Sequence, residues 1–175
     1  IHPKLNRQLS RRREDFGLDT SLDWAYAEAL SMGSLLLEDY RVRLSGQDVQ
    51  RGTFSHRHLV LHDAENGDVF TPLSTLNSGR LEVFNSPLTE AGVVGFEYGY
   101  SVAHPDALVI NVAGEASWLM NMQEMGTAVQ YRLPVKQFIL NNERLGMVRQ
   151  WQELLHGERY SHSWSEALPD FVKLA

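Results

Sequence analysis

The 175-residue sequence contains no cysteine. That excludes a disulfide framework, a thiolate metal site and a thiol nucleophile, and it agrees with a reducing, cytoplasmic setting. No apolar run approaches the roughly 20 residues of a membrane-spanning helix, and the start lacks a signal-peptide pattern, so no membrane partner is expected. Positive charge is also scarce. Sixteen Lys and Arg stand against 22 Asp and Glu, and the net charge of −6 argues against a general nucleic-acid surface. The one dense basic run, Arg11, Arg12 and Arg13, reads as a solvated helix face or a local polyanion contact. With 43% hydrophobic residues, 6 Pro and 13 Gly, disorder and low complexity are excluded, and the length allows one sizeable domain or two small ones. The chain begins at Ile1 rather than Met and stops just after Pro169 and Asp170 open a helix, so both ends read as cut.

Leu22, Trp24, Ala25, Ala29, Leu30, Met32 and Leu36 follow a helical period, with Asp23 and Glu28 giving the helix an acidic start. A short strand is expected at residues 42–44, then a hairpin in which 59–61 and 69–70 flank Glu65-Asn66-Gly67-Asp68. Residues 81–84 read as a strand. Ser86 and Pro87 then supply a cap and a first-turn proline for a helix over 88–100. From there strands at 107–113 and 135–140 alternate with helices at 121–131 and 146–155. The continuous apolar run of 107–113 suits a strand buried on both faces, hence an α/β fold with parallel sheets flanked by helices.

In such sheets ligands bind beyond the carboxyl ends of the strands. One strand runs into Gly114-Glu115-Ala116-Ser117 and the other into Asn141-Asn142. If the strands are neighbours, a carboxylate and an amide oxygen meet at one rim, a hard-oxygen set suited to Mg²⁺ bridging a diphosphate. A plain strand-to-helix connection, with Glu115 as a first-turn acid, reads the same residues equally well. His56, His58 and His62 alternate as on one strand face, but without Cys or a spaced fourth ligand they do not support a zinc site. Met120, Met122 and Met125 read as core packing. Asp48 and Arg51 read either as groups orienting the loop that carries the histidines or as a surface ion pair.

The turn at 114–117, the Asn141-Asn142 pair, GMVRQW and LPDFVKLA make residues 103–175 resemble the pyrophosphate-binding domain of the acetolactate synthase large subunit. That resemblance implies thiamine diphosphate and Mg²⁺ as cofactors. Glu115, Asn142 and the backbone carbonyl of Arg144 would be metal ligands, Gly114, Ala116 and Ser117 would line the diphosphate, and Met147 and Trp151 would lie near the cofactor and substrate channel. Residues 2–104, through SGQD, RGTFSHRH and NSPLTEAGVVGFEYGYS, resemble instead the pyrimidine-binding domain of the decarboxylating component of 2-oxoglutarate dehydrogenase. This second resemblance implies catalytic roles for Glu90, moving a proton at the aminopyrimidine, and for His56 and His58, donating toward a developing oxyanion. Taken alone, Glu90 reads as a first-turn acid stabilised by the helix dipole.

The sequence thus divides into a pyrimidine-binding-like module over 1–104 and a truncated pyrophosphate-binding-like module over 105–175, joined near PDALV as an apparent hybrid of two families. Glu115 stands where the signature turn carries Asp. One extra methylene moves the carboxylate by roughly 1.5 Å, whereas Mg²⁺ takes oxygens at about 2.0–2.1 Å, so the loop must shift or a water must intervene. The expected activity is decarboxylation of a 2-oxo acid by a cytoplasmic homo-oligomer. The competing reading is an incomplete hybrid without catalysis of its own.

Overall fold

Helix α1 (Pro3–Glu14) opens with proline in its first position, where the missing N–H costs nothing. In the computed structural model, which describes residues 1–14, 21–87 and 89–174, the chain forms two compact units, Ile1–Pro87 and Leu88–Ala175.

In the first unit, Asp23 caps helix α2 (Trp24–Leu37) by accepting the Tyr26 N–H at 2.6 Å. The buried stripe of α2 is Ala25, Met32, Gly33 and Leu36. Trp24 lies outside it at 76% exposure, and Leu22 precedes the helix and is also exposed, so neither joins the core as the period implied. Strands β1 (Val42–Gly46) and β4 (Leu81–Asn85) pair in parallel, Val42 opposite Leu81 and Gly46 opposite Asn85. Between them, β2 (Leu61–His62) and β3 (Val69–Phe70) form the expected antiparallel hairpin. Asp63 fixes its turn by accepting the N–H groups of Glu65 and Asn66.

Helix α3 (Glu90–Ala103) starts later than the sequence implied, with Thr89 rather than Ser86 at its cap; Leu88, the first residue of the expected helix, lies outside the described residues. The reason is local. The Ser86 N–H donates to Gly46 C=O at 2.7 Å and carries the chain on from the end of β4, and the residue before Pro87 is biased to extended backbone. Helix α3 is also built into the second unit, where Val94 and Tyr98 are buried and the Tyr98 hydroxyl donates to Glu124 C=O at 2.8 Å. The fold therefore divides at 87/88, ahead of the 104/105 module boundary read from sequence.

The remainder of the second unit is β5 (Ile110–Gly114), α4 (Glu115–Leu119), α5 (Glu124–Gln130), β6 (Lys136–Leu140), α6 (Gly146–Leu155) and α7 (Phe171–Leu174). Strands β5 and β6 are parallel neighbours, Ile110 opposite Lys136 and Gly114 opposite Leu140. They are not buried on both faces. Ile110, Val112, Phe138 and Leu140 are exposed, while Asn111 on the other face is buried and donates from Nδ2 to Gln137 Oε1 at 2.8 Å. A two-stranded sheet covered on one side leaves alternate side chains open. Met120 and Met122 are likewise exposed rather than core, because the chain turns at 120–123 between α4 and α5. Among the described residues no helix is long and apolar enough to cross a membrane.

Candidate functional site

Parallel pairing of β5 with β6 brings Gly114 level with Leu140, so Glu115 and Asn141-Asn142 leave the sheet at one rim. Glu115 is 1% exposed. Its Oε1 accepts the Arg144 N–H at 2.9 Å and its Oε2 accepts the Asn142 N–H at 3.3 Å. The Arg144 N–H is shared with Asn142 Oδ1 at 3.0 Å, so a carboxylate oxygen and an amide oxygen converge on one backbone hydrogen. Asn141 Oδ1 accepts the Glu143 N–H at 3.0 Å. Two overlapping side-chain-to-backbone turns thus shape the loop, and Glu143 takes the left-handed backbone (φ 57°) that the reversal requires.

A second segment closes over this loop. The Leu145 N–H donates to Ser163 C=O at 2.9 Å and the Ser165 N–H to Glu143 C=O at 3.0 Å, a bridge that sets Arg144 opposite Trp164 and leaves the Arg144 carbonyl outside it. The Arg144 guanidinium lies 5.2 Å from the centre of the Trp164 ring. Trp164 played no part in the sequence reading. A pairing across this distance in sequence has no local signal.

The chemistry of the rim follows from burial. A carboxylate out of water needs hydrogen bonds and an opposite charge, and two amides supply only the former. Among the described residues no Lys, Arg or His pairs with Glu115. Carboxylate and side-chain amide oxygen meet at this rim, with the Arg144 carbonyl carried on the same loop; these are the hard-oxygen types that Mg²⁺ takes, and a divalent cation would bring the missing charge. The residues present therefore fit such a group. A Cβ on Gly114 would meet nothing within 4 Å, so the backbone there is open to a close-lying ligand, with Ala116 and Ser117 half-buried beside it in α4. That helix has five residues, too few for much of a dipole. Met147 is half-buried in the first turn of α6, and Trp151, one turn on, is 60% exposed.

His56 and His58 belong to the first unit, Glu90 to the second. Glu90 is the first residue of α3 and is exposed. The histidine loop is extensively built. Asp48, Gly52, Ser55 and His58 all adopt left-handed backbone, and at Gly52 (φ 83°) a Cβ would come 2.5 Å from the His56 ring. Arg51 pairs with Asp48 in a partly exposed ion pair and donates to Ser55 Oγ at 2.8 Å, so both readings of these residues describe what is seen. His58 Nε2 and Ser55 C=O are 2.8 Å apart.

Three further supports escaped the sequence reading. Arg57 grips Glu28 on α2 with two nitrogens and donates to Val49 C=O at 3.1 Å. Arg12, far from being a solvated charge, is largely buried and donates to His56 C=O at 3.0 Å and, at 3.4 Å, to Asp23. Gln50 and Asn85 pair side chain to side chain, tying the loop to the end of β4. Arg57 sits inside the RGTFSHRH motif, between the two histidines that drew attention; its partner Glu28 is remote in sequence.

Burial lowers the His56 pKa, and the adjacent Arg57 charge lowers it further. The sign of the stability effect is set by proton uptake: the unfolded chain binds the proton near its ordinary value of about 6.5 while the folded chain still resists it, so stability is lost as pH falls below that value. Asp63, held low by its turn amides, loses its contribution only in more acid solution. Urea unfolding of the first unit between pH 7.5 and 5.5 is thus expected to show a falling midpoint, flattened in His56→Gln. Equal slopes in the two proteins would remove the effect.

The family description "Thiamine pyrophosphate enzyme, C-terminal TPP binding domain" matches residues 89–175, nearly the whole second unit. Residues 89–175 are thus similar to the C-terminal domain of thiamine-pyrophosphate enzymes. It is 40% identical over 182 aligned positions to "2-oxoglutarate dehydrogenase, mitochondrial" of Saccharomyces cerevisiae, covering 100% of the chain and 17% of that protein. It is 54% identical over 110 positions to "2-oxoglutarate dehydrogenase E1 component" of Staphylococcus haemolyticus, covering 61% of the chain and 12% of that protein. The corresponding protein of Bacillus mycoides is 46% identical over 112 positions, 63% of the chain and 12% of its own length. The chain therefore spans less than a fifth of the length of these relatives.

Proposed function

We propose that this chain binds thiamine diphosphate and Mg²⁺ and serves the decarboxylation of a 2-oxo acid, as part of a cytoplasmic, oligomeric enzyme of 2-oxoglutarate dehydrogenase or acetolactate synthase lineage. The observation that carries the proposal is the buried Glu115 carboxylate set against Asn142 and Arg144 at the β5–β6 rim. When bound, thiamine diphosphate supplies the electron sink for loss of CO₂. The chain's own residues bind and orient. Glu115, Asn142 and the Arg144 carbonyl hold the cation, and Gly114, Ala116 and Ser117 face the diphosphate. Met147 lies near the cofactor, Glu90 moves a proton at the aminopyrimidine, and His56 and His58 donate to the oxygen on which negative charge develops. The lowered pKa of His56 supports a neutral imidazole, one nitrogen of which donates.

A second reading is an inactive hybrid of the two lineages: the two bacterial relatives align over 61% and 63% of the chain, although the Saccharomyces cerevisiae relative aligns over 100% of it. The exposure of Glu90 supports it too, since a proton relay at the aminopyrimidine needs a partly buried carboxyl. Calorimetric titration with thiamine diphosphate and Mg²⁺ tests the proposal. Binding heat is expected, and its absence at millimolar cofactor would leave only the inactive reading. Where heat is seen, 2-oxoglutarate-dependent dye reduction marks the dehydrogenase lineage and formation of acetolactate from pyruvate marks the synthase.

A further inference from the structure

Glu115 does more at the rim than present a carboxylate. Both of its oxygens are already engaged by backbone N–H groups of the facing loop, at 2.9 Å from Arg144 and 3.3 Å from Asn142. The side chain is sealed from water at 1% exposure. Two alternate amides of one loop turned toward one anion grip it from the backbone, and here the anion belongs to the protein. We propose that Glu115 is a positioning residue, a latch that fixes the 141–145 loop in its site-forming shape before any cation arrives. The inference rests on the reading of this rim as a cation site, and it deepens that reading.

The physical reason is length. The Glu115 carboxylate spans from the start of α4 to both amides. With one methylene fewer, the carboxyl of an aspartate would fall short by roughly 1.5 Å, more than either hydrogen bond can stretch and survive. The extra methylene therefore exchanges dependence on the cation for a loop closed from within. The same bonds oppose the cation, which must draw carboxylate oxygens away from the amides. Asn142 Oδ1, turned onto the Arg144 N–H, is held back in the same way. Two consequences follow for the full chain. The loop keeps its order when the cation is removed, and shortening the acid makes loop order depend on the cation while tightening cation binding.

Amide hydrogen exchange of the full chain, in EDTA and then in Mg²⁺, tests this without any assay of activity. In the unsubstituted protein the Asn142 and Arg144 amides are expected to be protected at least about tenfold in EDTA, with little change on adding Mg²⁺. In Glu115→Asp protection of the Asn142 amide is lost in EDTA and restored by Mg²⁺, protection of the Arg144 amide falls to what Asn142 Oδ1 still supplies, and Mg²⁺ binds about tenfold more tightly by calorimetry. Glu115→Gln, which keeps the length but has only one accepting oxygen, weakens protection at one or other amide, with Arg144 still held by Asn142 Oδ1, and binds no Mg²⁺. Free exchange of both amides in the unsubstituted protein in EDTA overturns the latch, as does unchanged protection in Glu115→Asp. Should Glu115→Asp fail to fold, the EDTA measurement on the unsubstituted chain and the Gln variant still decide the matter. If no variant binds Mg²⁺ while EDTA protection holds, the latch stands and the cation reading of the rim fails.

Discussion

Trp118→Ala is expected to lower the stability of the second unit by about 3–5 kcal/mol, the range for emptying a buried aromatic site. Trp118 is 5% exposed, and its ring meets Phe171 edge-on with centres 5.4 Å apart. Such a pair adds roughly 0.5–1.5 kcal/mol beyond simple burial and gives the short helix α7 an aromatic contact with α4. Trp118 lies in α4 one turn after Glu115, so the cavity also loosens the start of that helix. Loss is therefore expected in two places by hydrogen exchange: early opening at 171–174 and reduced protection at Asn142 and Arg144. Trp118→Phe fills part of the space and should recover a substantial fraction of the stability. A loss below about 1 kcal/mol in Trp118→Ala would mean that the site collapses without a cavity.

Arg57→Ala should cost about 2–4 kcal/mol in the first unit. The pair it breaks lies between an exposed ion pair, worth up to about 1 kcal/mol, and a fully buried one, whose rupture costs about 3–5. Arg57 is 14% exposed and Glu28 34%. Truncation strips Glu28 of two charge-assisted hydrogen bonds and Val49 C=O of another, and removes the connection between α2 and the histidine loop. Arg57→Lys is not a conservative replacement, since a single ammonium cannot reach both carboxylate oxygens and the carbonyl. Denaturation of Arg57→Ala, Glu28→Gln and the double variant measures the coupling directly, expected at about 1–3 kcal/mol. Additive effects would show that the grip contributes no energy of its own.

How legible all this was varies from residue to residue. Glu115 and Asn142 were identified as a possible pair because each follows an apolar run at a strand's end, a pattern visible in one dimension, on the condition that the strands be neighbours. The fold meets that condition, with β5 beside β6. Helix α6 fell on its expected residues because nothing competes with its period. Helix α3 was placed early because Ser86 and Pro87 form a local start signal. That signal loses to a hydrogen bond with Gly46, a partner far back along the chain. The histidines of the loop were legible as residue types, whereas Arg57 and Arg12, which hold the loop, were not.

The sequence alone determined the α/β class, the parallel pairing implied by apolar runs between helices, and the chemical types gathered at the rim, because periodicity and turn chemistry act between residues close along the chain. Only the tertiary structure decided that α3 is built with the second unit, that one face of the β5–β6 sheet is open, and that the Glu115 carboxylate is spent on the amides of the facing loop. Each of these depends on which groups meet across space, and burial acts on the meeting and not on the residue.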